Sequence, residues 1–230
     1  MEVIILAGGL GTRLRSAIGN EIPKCMAPVA GRPFLWHLLS YLTRFDVSRV
    51  VLSVGHLREV IFDWIEQVKD EFPFEFDYAV EETPLGTGGG IKLAMTHVKG
   101  DDAIVLNGDT FFDVSLDDFL ALHKSKSAAI SLALKPMQKF ERYGTVTKDA
   151  NGVITAFKEK QYCESGDING GVYCINKQRI EWPTEDKFSM EKDVFEPSVS
   201  KKNMYAFDFG GYFIDIGIPE DYAKANKDFA

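Results

Sequence analysis

Cysteine, histidine and positive charge are all scarce in this chain of 230 residues. Its three cysteines, Cys25, Cys163 and Cys174, form an odd and scattered set without Cys-x-x-Cys spacing. That excludes a disulfide frame or a zinc ribbon and reads as reduced thiols in the cytoplasm. His37, His56, His97 and His123 stand singly, with no metal-ligand spacing. Lys and Arg number 26 against 34 Asp and Glu, a net charge of −8. Neither a nucleic-acid backbone nor an anionic membrane is gripped by such a balance, though a local basic pocket for a small phosphorylated ligand is compatible with it. No apolar run approaches the roughly 18 residues of a membrane span. The start, Met1-Glu2-Val3-Ile4, places an acid where a signal peptide needs positive charge, so a cytoplasmic protein is expected. Repeats, low-complexity tracts and long linkers are also absent. Apolar residues, by contrast, make up 45% and aromatics 12%, which rules out disorder and suffices for a substantial core.

Hydrophobic patterning predicts alternating elements. Val3–Ala7 reads as a strand buried on both faces, and Gly8–Pro33 is too rich in Gly, Pro and charge to be one regular element. A helix is expected over Pro33–Phe45, a strand over Arg49–Val54, a helix over His56–Val68 and a strand over Phe74–Val80. The run Glu82-Thr83-Pro84-Leu85-Gly86-Thr87-Gly88-Gly89-Gly90 reads as a break, with helical spacing resuming at Ile91–Val98 before a strand at Ala103–Leu106. Such alternation predicts an α/β fold, a mainly parallel mixed sheet with helices on both faces. Its ligands should sit beyond the carboxyl ends of the strands. The loops starting at Gly8, Glu81 and Asn107 should therefore line one crevice. Beyond residue 127, strand-like stretches at Ala128–Leu134, Gly144–Thr147, Val153–Phe157 and Gly170–Ile175 predict a β-rich extension and lid on the same single domain, 1–230.

The stretch Leu6-Ala7-Gly8-Gly9-Leu10-Gly11-Thr12-Arg13-Leu14 is the most informative. Glycines after a buried strand let backbone amides approach an anion with no Cβ in the way. A dinucleotide fingerprint starting at Gly9 would need glycine where Leu14 stands, which disfavours a nicotinamide-dependent oxidoreductase. A P-loop needs Gly-Lys, a pair that occurs nowhere in the chain. Arg13 instead offers a fork that can take two phosphate oxygens at once. Lys24, after Pro23, supplies a second cation on the same long loop.

Gly-Gly-x-Gly-Thr-Arg-Leu followed by Pro23-Lys24 resembles the signature of the sugar-1-phosphate nucleotidylyltransferases. The resemblance continues through Pro84-Leu85-Gly86-Thr87-Gly88, Asn107-Gly108-Asp109, Tyr143-Gly144, Glu159-Lys160, Asn169-Gly170-Gly171 and Asp215-Ile216-Gly217. Within the family the chain looks most like the guanylyltransferases for D-glycero-D-manno-heptose 1-phosphate, and after them like those for mannose 1-phosphate. Ser16, Cys25 and Ile218 depart from residues common in the family, which bears on substrate subgroup more than on chemistry.

The resemblance implies a Rossmann-like nucleotidyltransferase fold with a nucleotide-binding half, 1–127, and a sugar-phosphate-binding half, 128–230. The implied partners are GTP and a sugar 1-phosphate, with the protein a monomer or homodimer. Arg13, Lys24 and Asp109 are the implied catalytic residues, and Asp109 and Asp215 the implied ligands of Mg²⁺. Leu6, Gly8, Gly9, Gly11, Thr12, Arg13, Glu81, Gly86 and Thr87 would bind nucleotide. Tyr143, Gly144, Glu159, Lys160 and Asn169 would bind the sugar phosphate. Both reactants are polyanions and the attacking phosphate is already ionised, so positioning and charge neutralisation carry such a reaction, with no general base. Glu81 stands where uridine-using relatives carry Gln. An ionised carboxylate offers acceptors only, and guanine alone among the common bases presents two adjacent donors, N1–H and N2–H₂. Uridylyl, cytidylyl and thymidylyl transfer remain alternatives, as does a catalytically inactive sugar-nucleotide-binding regulator. The latter should have lost Arg13, Lys24 or a metal-holding acid, and all are present.

Overall fold

The computed structural model describes residues 1–9, 12–158 and 161–230. Its elements begin with β1 (Glu2–Leu6), α1 (Arg15–Ile18), the short pair β2 (Pro28–Val29) and β3 (Arg32–Pro33), and α2 (Phe34–Leu42). There follow β4 (Arg49–Val54), α3 (Arg58–Val68), β5 (Glu75–Val80), α4 (Gly86–Met95), β6 (Asp102–Asn107), β7 (Thr110–Phe112) and α5 (Leu116–Ser125). The chain continues through β8 (Ile130–Phe140), β9 (Thr145–Lys148), β10 (Ile154–Lys158) and β11 (Cys163–Asn176). A π-helical turn at Glu191–Phe195 leads into α6 (Glu196–Ser198), then β12 (Met204–Asp208), β13 (Phe213–Asp215) and α7 (Pro219–Asp228).

Alternation along the strands puts apolar side chains on both faces of the sheet. In β1, Val3 and Ile5 enter one core layer with Val50, Leu52, Ile104 and Leu106, while Ile4 enters the other with Val51 and Val105. All nine are at most 2% exposed, and each such side chain contributes about 1.5–3 kcal/mol by leaving water. The first layer is closed by Phe34, Leu35, Leu38, Leu39 and Leu42 of α2, by Ile61 and Ile65 of α3, and by Phe119 of α5. The second is closed by Ile91, Ala94 and Met95 of α4 together with Phe188, Val194 and Phe195.

β1 lies parallel between β4 and β6, and β5 adds in parallel to β4. β11 then runs antiparallel to β6 and joins the second half of the chain to the same sheet. The full order is β10-β9-β11-β6-β1-β4-β5, with β8 and β12 attached beside β11. A mainly parallel sheet with both faces covered is the expected α/β architecture. Among the described residues no helix is long and apolar enough to cross a membrane.

Three of the differences from the expectations bear on the sheet or on the site. β8 reaches Phe140 and β11 starts at Cys163, because residues 163–169 pair with the outer part of β8. This outer ladder is only partly buried, so its polar residues gave no hydrophobic run to read. β12, which had no expected counterpart, pairs in parallel with β8.

The third difference bears on function: α4 begins at Gly86 rather than Ile91 and ends at Met95. Helix propensity disfavours Gly88-Gly89-Gly90 by about 1 kcal/mol each. Here the segment around Phe188 lies against the bare backbone. Gly88 N–H donates to the Phe188 carbonyl (3.0 Å) and Phe188 N–H donates to the Leu85 carbonyl (3.0 Å). A Cβ at Gly88 would overlap the Phe188 ring, and one at Gly89 the Asp186 carbonyl oxygen. Gly86 has φ +75, and its Cβ would lie 2.6 Å from the Phe188 carbonyl oxygen.

In a solvent-exposed helix Gly→Ala stabilises by about 1 kcal/mol. At Gly89 the sign should reverse: Gly89→Ala is expected to cost about 1–3 kcal/mol as overpacking does, lowering Tm by several degrees in a thermal melt. A raised Tm would show that the 186–190 segment is not seated there.

Candidate functional site

The loops after β1, β5 and β6 converge at the carboxyl edge of the sheet, where they line a cleft of about 340 Å³. Leu6, Gly8 and Gly9 come from the first loop, Glu81 and Pro84 from the second, and Asn107, Gly108 and Asp109 from the third. Gly86 and Thr87 at the start of α4, Lys24 and Cys25 from a turn after α1, and Glu191 complete it. The Glu81 carboxylate is anchored at both oxygens: Oε1 accepts from Ser53 Oγ (3.0 Å) and Oε2 from Leu85 N–H (3.1 Å). Each oxygen keeps a further lone pair for a ligand donor. Burial, with the Asp109 charge adding to it, pushes the Cys25 thiol up to about 12, so no thiolate nucleophile is offered here.

Asp109 and Asp215 meet through the small antiparallel pair β7–β13. Thr110 is in register with Asp215, and Ile216 N–H donates to the Asp109 carbonyl (3.0 Å). Lys24 Nζ lies between their carboxylates, 2.5 Å from Asp109 Oδ2 and 3.6 Å from Asp215 Oδ1. Burial and the neighbouring Asp109 charge hold the Asp215 carboxyl above the ordinary range, against Lys24 and the Gly217 N–H, which favour ionisation. Two neighbouring carboxylates around one ammonium leave a net negative charge. That all-oxygen donor pair fits a hard divalent cation, which shares a few carboxylates with substrate phosphates.

A second cavity of about 610 Å³ opens on the other side of Asn107, Asp109 and Glu191, which line both. Arg13, Arg142, Tyr143, Gly144, Lys158, Asn169, Lys192 and Asp215 face it. Arg142 pairs with Asp221 of α7 and donates from Nη2 to the Tyr143 hydroxyl (3.0 Å). The Tyr143 ring packs edge-on against Phe213 at 5.9 Å. Asn169 is largely engaged internally: its Nδ2 donates to the Tyr173 hydroxyl (3.1 Å) and its Oδ1 accepts from Gly171 N–H (3.0 Å).

Residues 2–230 match the family described as nucleotidyl transferase. This chain belongs to that family. The transferase is 45% identical to the D-glycero-alpha-D-manno-heptose 1-phosphate guanylyltransferase of Aneurinibacillus thermoaerophilus, over 99% of this chain and 98% of that protein. It is 45% identical to the enzyme of the same name from Campylobacter jejuni, over 96% and 97%. Among solved structures it resembles HddC from Yersinia pseudotuberculosis complexed with GMP-PN, with TM-score 0.87, 38% identity and coverage of 100% and 99%.

In the transferase, Leu6, Gly8, Gly9, Lys24, Glu81, Gly86, Thr87 and Asp109 thus gather at the first cavity, and Arg13, Asp109, Tyr143, Gly144, Asn169 and Asp215 at the second. Arg13, expected at the nucleotide and in catalysis, lines the second cavity, as Asp109 and Asp215 do. Gly11, Glu159 and Lys160 lie outside the described residues. The Thr12 backbone begins a short turn, Thr12–Leu14. Sequence reasoning missed Arg142, Lys192 and Glu191. Arg142 directly precedes the Tyr143-Gly144 motif and was legible by adjacency, whereas Glu191 meets Thr87 from 104 residues away and carried no spacing signal.

The raised Asp215 carboxyl sets a stability prediction. Ionising it in the folded state is harder than in the unfolded chain, so its charge destabilises the fold above the ordinary carboxylate pKa. That cost fades as pH falls through the raised folded value. Asp215→Asn should therefore raise Tm in chelator-treated protein at neutral pH, with the gain shrinking in mild acid. A pH-independent gain, or none, would contradict this ionisation argument.

Proposed function

We propose that the protein transfers GMP from GTP to a manno-configured sugar 1-phosphate, D-glycero-D-manno-heptose 1-phosphate in the first instance, releasing pyrophosphate. The observation that carries this reading is the Asp109–Lys24–Asp215 cluster, in which Asp109 lines both cavities while Lys24 lines the first and Asp215 the second. The full-length similarity to two heptose 1-phosphate guanylyltransferases, and to a structure holding GMP-PN, supports the choice of reactants.

GTP is assigned to the first cavity, built mainly by residues of 1–127, and the sugar phosphate to the second, built mainly by 128–230. An oxygen of the sugar phosphate bonds to the α-phosphorus as the bond from that phosphorus to its bridging oxygen breaks, and pyrophosphate leaves with the electron pair. Arg13 and Lys24 offset charge on the phosphates and on the leaving group. Asp109 and Asp215 would hold Mg²⁺. The ion would neutralise phosphate oxygens as two polyanions approach. Glu81, its orientation fixed by Ser53 and Leu85, offers its remaining lone pairs to the guanine N1–H and N2–H₂ donors. A site built for such pairing discriminates by roughly 10⁴–10⁵, since a wrong base leaves buried groups unpaired. The enzyme is assigned to the cytoplasm, acting as a single domain in a monomer or homodimer.

The decisive measurement is pyrophosphate release, crossing four nucleoside triphosphates with mannose, glucose and manno-heptose 1-phosphates. GTP with the heptose phosphate should be turned over fastest. Asp109→Ala should lose roughly 10²–10³ in kcat, as removal of one transition-state stabiliser does, and near-wild-type turnover would remove Asp109 from the mechanism. Glu81→Gln should move preference toward UTP. Unchanged GTP selectivity in that variant would refute base reading by Glu81.

A further inference from the structure

Glu191 lies on the wall common to both cavities, yet neither the glycine loop nor the paired acids account for it. It opens the π-helical turn Glu191–Phe195, a backbone form that concentrates at functional sites. Its carboxylate is oriented by two hydroxyls that converge on one oxygen. Thr87 Oγ1 donates to Oε2 at 3.2 Å and Ser189 Oγ donates to the same atom at 3.0 Å. The Thr87 proton has a set direction, because Thr87 Oγ1 accepts the Met190 N–H at 2.9 Å. Thr87 is thereby committed to Glu191 more than to a ligand. Among the described residues Glu191 Oε1 takes no donor, and the side chain is exposed to the cavities.

The seat of this carboxylate is built by the glycine helix. Backbone hydrogen bonds from Gly88 to Phe188 and from Phe188 to Leu85 fix the 186–190 segment against α4, so Oε1 is presented from a rigid support. A carboxylate accepts and cannot donate. Beside phosphate oxygens it would only repel, so it suits a donor, and with the guanine N–H groups assigned to Glu81 the remaining donors of the two substrates are hydroxyls.

We propose that Glu191 is a specificity-determining residue that accepts a substrate hydroxyl through Oε1, with Thr87 and Ser189 as its positioning residues. The inference rests on the guanylyl-transfer reading above and deepens it. The hydroxyl belongs either to the nucleotide ribose or to the sugar ring, since Glu191 borders both cavities.

The test separates the two sources. Losing one hydrogen bond to a charged group corresponds to roughly a ten- to hundredfold loss of affinity. Glu191→Ala should raise one KM by that factor while kcat stays within a few-fold. If the KM for GTP rises, and 2′- or 3′-deoxy-GTP is no longer distinguished from GTP by the variant, the ribose is the source. If the KM for the sugar phosphate rises alone, the sugar is. Thr87→Val should reproduce part of the same shift, and Thr87→Ser should restore it. A purely structural tie would lower Tm without moving either KM, or raise both equally, and either result overturns the proposal. Calorimetric titration of wild type and Glu191→Ala with GTP and with the sugar phosphate reads the contact even without turnover. Absence of pyrophosphate release by wild type counts against the reaction; unchanged Kd values for both ligands count against Glu191.

Discussion

Two carboxylates held beside one another in a partly buried place repel, and everything around the site of this protein is arranged about that repulsion. Asp109 and Asp215 are brought together by the β7–β13 pairing, and the Lys24 ammonium stands between them. Burial and the partner's charge keep Asp215 reluctant to ionise, and Lys24 and the Gly217 N–H oppose that reluctance only in part. The cluster remains short of positive charge. A polyanionic substrate alone would worsen matters, whereas a divalent cation bound with it would relieve both the acids and the phosphates. The same electrostatics explains why cations gather nearby, Arg13, Arg142, Lys158 and Lys192 all facing the second cavity.

A second constraint is steric. Glu191 joins Asn107 and Asp109 on the wall between the cavities because α4 presents backbone, not side chains, to the segment around Phe188. Three consecutive glycines weaken the helix locally, and the packing and hydrogen bonds of the docked segment offset that loss. Docking in turn places Thr87, Ser189 and Glu191 in hydrogen-bond contact, so that a hydroxyl at the start of α4 orients a carboxylate from the second half of the chain. The two halves are therefore interleaved at the site: Glu191 completes the first cavity, and Arg13, Asn107 and Asp109 contribute to the second.

Much of this was legible in the chain. The apolar runs of β1, β4 and β6 sit on both faces of the sheet, so they appear as near-continuous hydrophobic stretches, and α2 and α3 show the helical period of a one-sided contact. The convergence of the loops after Leu6, Val80 and Leu106 followed from strand–helix alternation alone. The outer ladder of β8 and β11 was invisible for the opposite reason: half exposed and polar, it owes its pairing to strand register rather than to hydrophobic pattern. The start of α4 was misread because glycine carries a poor intrinsic helix propensity, and the compensating contact lies about a hundred residues away.

The candidate residues divide along the same line. Arg13, Lys24, Asp109, Glu81 and Asp215 stand in motifs where residue type and spacing already name a chemistry, because charge and hydrogen-bonding capacity belong to the side chain itself. Partnership is different. That Lys24 pairs with both acids, that Asn169 is occupied by Tyr173 and Gly171, and that Thr87 serves Glu191 are matters of distance in the folded molecule. Local sequence encodes donors and acceptors. Which of them meet is settled by packing between segments far apart along the chain, where a shift of an ångström makes or breaks a hydrogen bond.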